Sequence, residues 1–295
     1  MITYDSRNWF AALALHRADT FRKLLPLLVL VGVFTWAVGY IETEYLGLTR
    51  QNTVANLPSM HGLLGFAISM LLVFRTNTAY DRWWEARRQW GSLVNVSRNL
   101  AIKLAAILPD DEVQGRADMA RFIGLFAQAL TAHLRSEKTR LALDIAAHPE
   151  LEGVDPGMHV PARIAALMHA RVHDAYRDGR MAGDQLIGVS TDLTMFMDIC
   201  GACERIKNTP IPYSYSSFIK KFIVVYSLTL PFGFVFTLGL IAVPVVMFIF
   251  YVLASLELIA EEIEEPFGLD TNDLPLDRLS DIITNNAREL LASRA

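Results

Sequence analysis

Residues 61–91 read HGLLGFAISMLLVFRTNTAYDRWWEARRQWG, an apolar run that passes within one position, at Arg75, into a basic stretch dense in tryptophan. Three of the five tryptophans (Trp83, Trp84, Trp90) lie beyond that boundary, together with Arg75, Arg82, Arg87 and Arg88. No proline falls between Pro58 and Gly91 and no glycine between Gly65 and Gly91, so nothing interrupts a single helix across the change. So abrupt a change is what a membrane face imposes. Arginines directly after a span collect on the cytoplasmic side, which orients this helix to leave the bilayer inward.

The composition agrees with a membrane protein that carries a sizeable polar part. Of 295 residues, 53% are hydrophobic and 20% charged, and the mean hydropathy is +0.30. Four spans of about 20 residues each place roughly 80 residues in lipid and leave most of the chain outside. The formal charge of -4 and the lack of a basic tract exclude a nucleic-acid footprint, so no nucleic-acid partner is expected. Cys200 and Cys203 are too few for a disulfide framework.

Outward from the opening stretch, the first apolar run is LLPLLVLVGVFTWAVGYI at 24–41, preceded by Arg17, Arg22 and Lys23 and followed by Glu42 and Glu44. The lead before it is too long and amphipathic for a secretory leader. The connector 48–58 carries only Arg50, whereas the sequences on the far sides of both spans are basic, which predicts a cytoplasmic N-terminus. After the second span (59–74) comes a long polar block with helical apolar stripes. One is Met119, Phe122, Ile123, Phe126, Leu130 and Leu134; another is Leu186, Ser190, Leu193, Met197 and Cys200. TPIP at 209–212 ends that block, and Lys220 and Lys221 introduce a third apolar run interrupted by Pro231 and Gly233. A fourth run, IAVPVVMFIFYVLASLELIA, returns the chain inside, so spans three and four form a tight hairpin. Leu276, Leu279 and Ile283, spaced i, i+3 and i+7, predict a docked C-terminal helix with Asp273 as its N-cap candidate.

The chain thus divides into residues 1–78, an N-terminal segment with spans one and two; 79–217, a helical cytosolic domain; 218–260, spans three and four; and 261–295, a cytosolic segment and helix.

Several constellations bear on chemistry. Phe66, Met70 and Phe74 fall at i, i+4 and i+8, a single bulky stripe that either packs on sibling helices or lines a shared axis as a hydrophobic constriction. Gly65 and Ser69 lie on a neighbouring face at a spacing that lets another helix approach closely. Trp83 with Arg87 and Tyr80 with Trp84 stand one helical turn apart, and the tryptophans also suit an interfacial belt. The charges around them, Asp81, Arg82, Glu85, Arg87 and Arg88, suggest a buried ion-pair network between helices. His169 and His173 share a helix face, but Ala170 stands where a zinc protease needs Glu, so a packed or solvated pair is expected. The CxxC of Cys200 and Cys203 lacks a redox-fold context and reads as two packed thiols. In PFGLDTNDLPLD (266–277), Asp270, Asn272, Asp273 and Asp277 gather oxygens that suit a divalent ion, although the EF-hand spacing fails. No nucleophile is paired with a base, and no enzyme activity is expected.

FRTNTAYDRWWEARRQWG (74–91), RIKNTPIP (205–212) and EEIEEPFGLDTNDLPLD (261–277) together resemble the bestrophin family, specifically its bacterial branch. The resemblance runs over nearly the whole chain. It implies an all-α integral membrane protein, four transmembrane helices with both termini cytoplasmic plus a helical cytosolic bundle, assembled as a homopentamer around a central pore. The motif at Arg82-Trp83-Trp84 aligns the family's pore neck with Phe66, Met70 and Phe74, where eukaryotic relatives carry isoleucine and phenylalanines. A second constriction at the cytosolic exit corresponds to Ile187, with Leu186 as the alternative register. The acidic run that binds calcium in eukaryotic relatives is broken here to Leu269-Asp270-Thr271-Asn272-Asp273, so calcium or another divalent ion is only a candidate ligand of Asp270 and Asp273, and no cofactor is required. The implied function is passive conduction across the bacterial inner membrane, of chloride by family and of cations in some bacterial members. The competing expectation is a non-conducting, membrane-anchored helical sensor or scaffold.

Overall fold

The computed structural model describes residues 20–45, 57–135 and 158–292, and every regular element among them is helical. Helix α1 (Thr20–Tyr40) ends in a π-turn, Ile41–Tyr45, and α2 runs unbroken from Leu57 to Ile107. Then follow α3 (Val113–Leu134), α4 (Val160–Arg177), α5 (Gly183–Asn208), α6 (Tyr213–Thr229), α7 (Pro231–Leu238), a 3₁₀ turn at Gly239–Ile241, α8 (Ala242–Glu264) and α9 (Leu276–Leu291). At 51 residues α2 is roughly 75 Å long, well beyond the ~30 Å of a hydrocarbon core. It contributes to both of the compact units into which the chain divides.

The first unit takes α1, the first part of α2 up to Trp83, α6, α7 and α8 up to Glu264. Its centre is made by Leu28, Ile68, Leu72, Ile219, Leu230 and Val246, each at most 3% exposed. Close approach of α1 and α8 depends on Gly32, where an added Cβ would stand 2.8 Å from the sulfur of Met247. Pro231 has no N–H to extend α6 and instead opens α7, and Gly239 at φ 57° makes the second break before α8. The run from Tyr213 to Glu264 is therefore two long helices joined by a short bent piece. By length and composition, four helical stretches among the described residues are apolar enough to cross a membrane: Thr20–Tyr45, Met60–Ile107, Gly183–Asn208 and Tyr213–Glu264. The third of these is α5, which also carries Asp184, Asp192, Asp198, Glu204, Arg205 and Lys207 and belongs to the other unit.

That second unit holds the rest of α2 from Trp84, with α3, α4, α5 and α9. Trp90, Leu93, Ile123, Phe126, Leu130 and Phe196 are all at 0% exposure, and the rings of Phe126 and Phe196 meet edge to face at 5.0 Å. Where the chain leaves α2, buried Arg116 donates to the carbonyls of Ala105 (3.0 Å), Leu108 and Pro109 (3.2 Å). Helix α9 lies on α3 through Leu276, Leu279 and Ile283, as their spacing predicts, and Ser280 hydrogen-bonds Thr131 at 3.0 Å.

Three sequence expectations need correction here. Trp90 is a core residue of the bundle and not part of an interfacial belt. The buried face of α5 runs through Val189, Leu193, Phe196, Cys200 and Cys203, whereas Leu186, Ser190 and Met197 are half-buried, so the buried face is rotated to one side of the predicted stripe. Pro275, not Asp273, occupies the N-cap of α9, and no side chain caps that helix.

Candidate functional site

At about 100° per residue, α2 presents two opposed faces within the first unit. His61, Gly65, Ile68, Leu72, Arg75 and Ala79 fall along one stripe; His61, Ile68, Leu72, Arg75 and Ala79 are buried against sibling helices. Phe66, Met70 and Phe74 fall on the opposite side and are 72%, 50% and 53% exposed. Bulky apolar side chains thus form a continuous outward stripe, flanked by Leu63 and Val73.

The buried stripe holds that orientation. Gly65 is where α6 comes closest: an added Cβ would lie 2.7 Å from the hydroxyl oxygen of Tyr226, and the same hydroxyl donates to the His61 carbonyl at 3.2 Å. His61 also pairs with Thr229 at 3.1 Å. A groove of about 310 Å³ runs beside these residues, lined by His61, Gly65, Ser69, Tyr226, Phe234 and Leu253 among others. Further along, Arg75 is 1% exposed and bridges to α8, with Glu264 at 2.6 Å and Glu257 at 3.5 Å. Arg82 donates to the Glu264 carbonyl at 3.2 Å, and Glu264 accepts the Ile211 N–H at 2.8 Å. Lys23 to Glu262 (2.5 Å) and Lys220 to Glu261 (2.8 Å) add ion pairs at this end of α8. The buried ion pairs of the first unit belong to Arg75, which lies outside the set of Asp81, Arg82, Glu85, Arg87 and Arg88 that the sequence suggested, and their acidic partners come from α8. In the second unit Glu85 pairs with Arg205 at 2.6 Å. Ring stacking falls on Tyr80 and Trp83, 6.2 Å apart.

Ile187 lies in the second turn of α5 and is 71% exposed; Leu186 is half-buried. Lys103 of α2 ties that turn down by donating to the Gly188 carbonyl (3.1 Å) and pairing with Asp192 (2.9 Å). Asp270 and Asp273 come together in a tight turn. The Asp270 N–H donates to Asp273 Oδ2 at 2.6 Å, and Gly268 leaves the room, since a Cβ there would stand 2.7 Å from the same oxygen. Asp273 is 3% exposed, its Oδ1 has no hydrogen-bond partner, and burial pushes its carboxyl up to about 6. Asp270 is exposed, and Asp277 points elsewhere, paired with Arg135 at 2.8 Å.

His173 hydrogen-bonds the His169 carbonyl at 3.0 Å on an exposed face, and Cys200 and Cys203 are buried free thiols. Spacing did not reveal one cluster: His133, His159 and Glu204, distant in sequence, converge in the bundle, and no local pattern links them.

With this geometry in hand, the sequence pattern described as Bacterial/Fungal Bestrophin protein matches residues 1–289. The chain belongs to the bestrophin family. This bestrophin is 31% identical over 297 residues to a voltage-dependent anion channel-forming protein of Ralstonia nicotianae, covering 99% of this chain and 94% of that one. A protein of the same description from a Nostoc species is 30% identical over 293 residues, covering 98% of this bestrophin and 94% of its relative. Two solved structures of a bacterial bestrophin homologue from Klebsiella pneumoniae superpose with TM-scores of 0.80 and 0.79 at 27% identity, and they cover 91% and 92% of this bestrophin and 98% and 100% of their own chains. The all-helical fold and the apolar helices make this bestrophin a membrane protein.

Proposed function

We propose that this bestrophin is an anion channel of the bacterial inner membrane, a homopentamer in which the Phe66, Met70 and Phe74 stripes of adjacent copies face a shared axis and form the neck. The observation that carries the reading is the opposition of faces on α2: the side with His61, Ile68 and Arg75 is taken up by sibling helices, and the bulky stripe is left outward. An apolar ring restricts hydrated ions by dewetting, while polar vestibules above and below concentrate them. Phenyl rings carry positive edges, so Phe66 and Phe74 turned edge-on favour an anion where Met70 gives no sign. The description of the relatives as anion channel-forming supports the same sign over cation conduction.

Ile187 is proposed as the cytosolic constriction in preference to Leu186, because it is the more exposed of the two and Lys103 anchors its turn. In this topology four helices cross the membrane: α1, the first part of α2, α6 and α8. The ion pairs of Lys23, Arg75 and Lys220 with the acidic end of α8 gather the basic ends of α1, α2 and α6 beside it, which supports cytoplasmic termini. Asp270 and Asp273 stay a candidate divalent-ion position, yet a calcium shell takes roughly six to eight oxygens and this turn offers one buried orphan oxygen, so conduction is proposed to need no bound ion.

The test is reconstitution into planar bilayers. Replacing Phe66, Met70 and Phe74 together by Ala is expected to raise single-channel conductance; unchanged currents would remove the neck assignment. Reversal potentials in asymmetric sodium chloride should follow the chloride gradient. A monomer by mass measurement, with no current in any common salt, would favour the sensor or scaffold reading instead.

A further inference from the structure

We infer that His133, His159 and Glu204 form a binding site for one divalent transition-metal ion of the zinc class, which ties α3, α4 and α5 together within the second unit. The imidazole Nε2 atoms of His133 and His159 stand 2.6 and 2.7 Å from the same carboxylate oxygen, Glu204 Oε1, and all three donor atoms lie within 4.8 Å of one another. The two rings are 4.7 Å apart. Each donor comes from a different element: the last turn of α3, the N-cap of α4 and the body of α5. The side chains are 32%, 37% and 28% exposed, so an ion can enter from solvent and keep a water in its fourth position.

The donor chemistry selects the ion class. Two imidazole nitrogens and one carboxylate suit zinc and its neighbours, whereas calcium and magnesium take oxygen shells. The buried thiols of Cys200 and Cys203 are outside the set. In the metal-free arrangement His159 Nδ1 accepts the Ala162 N–H at 3.1 Å, so its proton sits on Nε2 and is donated to Glu204. Metal binding at Nε2 moves that proton to Nδ1 and gives up the cap hydrogen bond, which sets affinity back by about fivefold. The Nε2–H of His133 is likewise replaced by the ion, its proton passing to Nδ1. Lys207 donates to the His133 carbonyl at 3.0 Å and fixes the turn that carries this imidazole. The site joins chain positions on either side of residues 136–157, which makes the ion a clasp across a long connection.

The experiment uses the full-length protein in detergent with zinc chloride as the probe, read by metal content after desalting and by thermal melting with and without chelator. One zinc per chain and a chelator-reversible rise in melting temperature are expected. His159→Asn keeps an acceptor suited to an N-cap but removes the ligand; measured against its own melting temperature in chelator, it should lose the zinc response. Glu204→Ala and His133→Ala should each weaken zinc binding by at least about a hundredfold. The exposed pair provides the control, His169→Ala with His173→Ala, and should bind as the wild type does. Wild-type protein that retains no zinc, retention unchanged in His159→Asn, or loss confined to the control pair would each overturn the assignment.

Discussion

In the unit built on α1, the first part of α2, α6 and α8, large hydrophobic residues lie on the outside: Leu30, Val33, Phe66 and Phe248 are 63%, 59%, 72% and 65% exposed. Its interior holds Arg75, Glu257, His61 and Thr35, all at most 5% exposed. The bundle leans the other way, although it too buries charges, with Arg116 and Asp118 at 3% and 2% exposed. Trp90, Phe126 and Phe196 are sealed at 0%, and Arg177, Asp174 and Asp178 stand in solvent. One chain therefore follows two rules of burial, as the proposed topology requires: lipid or another copy around the first part, water around the second. Inside the lipid-facing part, polar groups are buried because there is nothing outside to pair with them. The same guanidinium chemistry should then count for much more at Arg75 than at Arg135.

Arg75→Met is the strongest way to break that contrast. It leaves the carboxylates of Glu257 and Glu264 inside without their cation, and breaking a buried pair from one side costs roughly 3–5 kcal/mol. A large drop in melting temperature in detergent is expected, partly recovered by adding Glu257→Gln. A single variant that melts like the wild type would mean that water reaches this cluster and that the unit is not the dry one.

Much of this architecture was legible in the sequence, because a membrane writes itself in long apolar runs and in the charge bias at their ends. The break at Pro231 and the i, i+3, i+7 stripe of Leu276, Leu279 and Ile283 each depend on local spacing, and each has its counterpart in the structure. The stripe of Phe66, Met70 and Phe74 was visible as a stripe, yet periodicity says which residues share a face and not what covers it. What failed was also physical. Trp90 resembled its interfacial neighbours in type and spacing, but a helix leaving the membrane rotates new faces toward the bundle, and tertiary packing decided its place. Asp273 had the identity of an N-cap and serves instead as the acceptor for the Asp270 turn. The cluster of His133, His159 and Glu204 depends on three helices meeting, which no window along the chain contains.

A smaller effect is expected at Asp273, where the bundle breaks its own rule by burying a carboxyl with one oxygen unpartnered. Burial raises it from 3.8 to about 6, so between those values the folded protein holds a proton that the unfolded chain has released. Stability from this group is then full below about pH 4 and is lost as pH rises to 6. Asp273→Asn removes the titration while keeping an acceptor for the Asp270 N–H. The melting difference between variant and wild type should move in the variant's favour from pH 4 to pH 7. A difference flat with pH would mean that the Asp273 carboxyl is solvated.

The smallest effect should come from Arg135, the bundle's counterpart to Arg75. Its guanidinium grips Asp277 by two hydrogen bonds, 2.8 and 2.9 Å, and these hold the Asp277 carboxyl below its ordinary value. A carboxyl lowered on folding contributes stability above its unfolded value of about 3.8 and loses it as pH falls through the folded one, so the pair should matter at neutral pH and fade in acid. The Asp277 side chain is 70% exposed, however, and solvent screens the attraction, so Arg135→Met should cost at most about 1 kcal/mol and less in high salt. Measured beside Arg75→Met in one detergent series, the salt dependence separates the two media. Salt should halve a small effect at Arg135 and leave the large one at Arg75 unmoved, because ions that reach Asp277 freely have no path to a side chain 1% exposed. Equal salt sensitivity at the two sites would place both arginines in water and remove the distinction on which the lipid-facing assignment of the first unit rests.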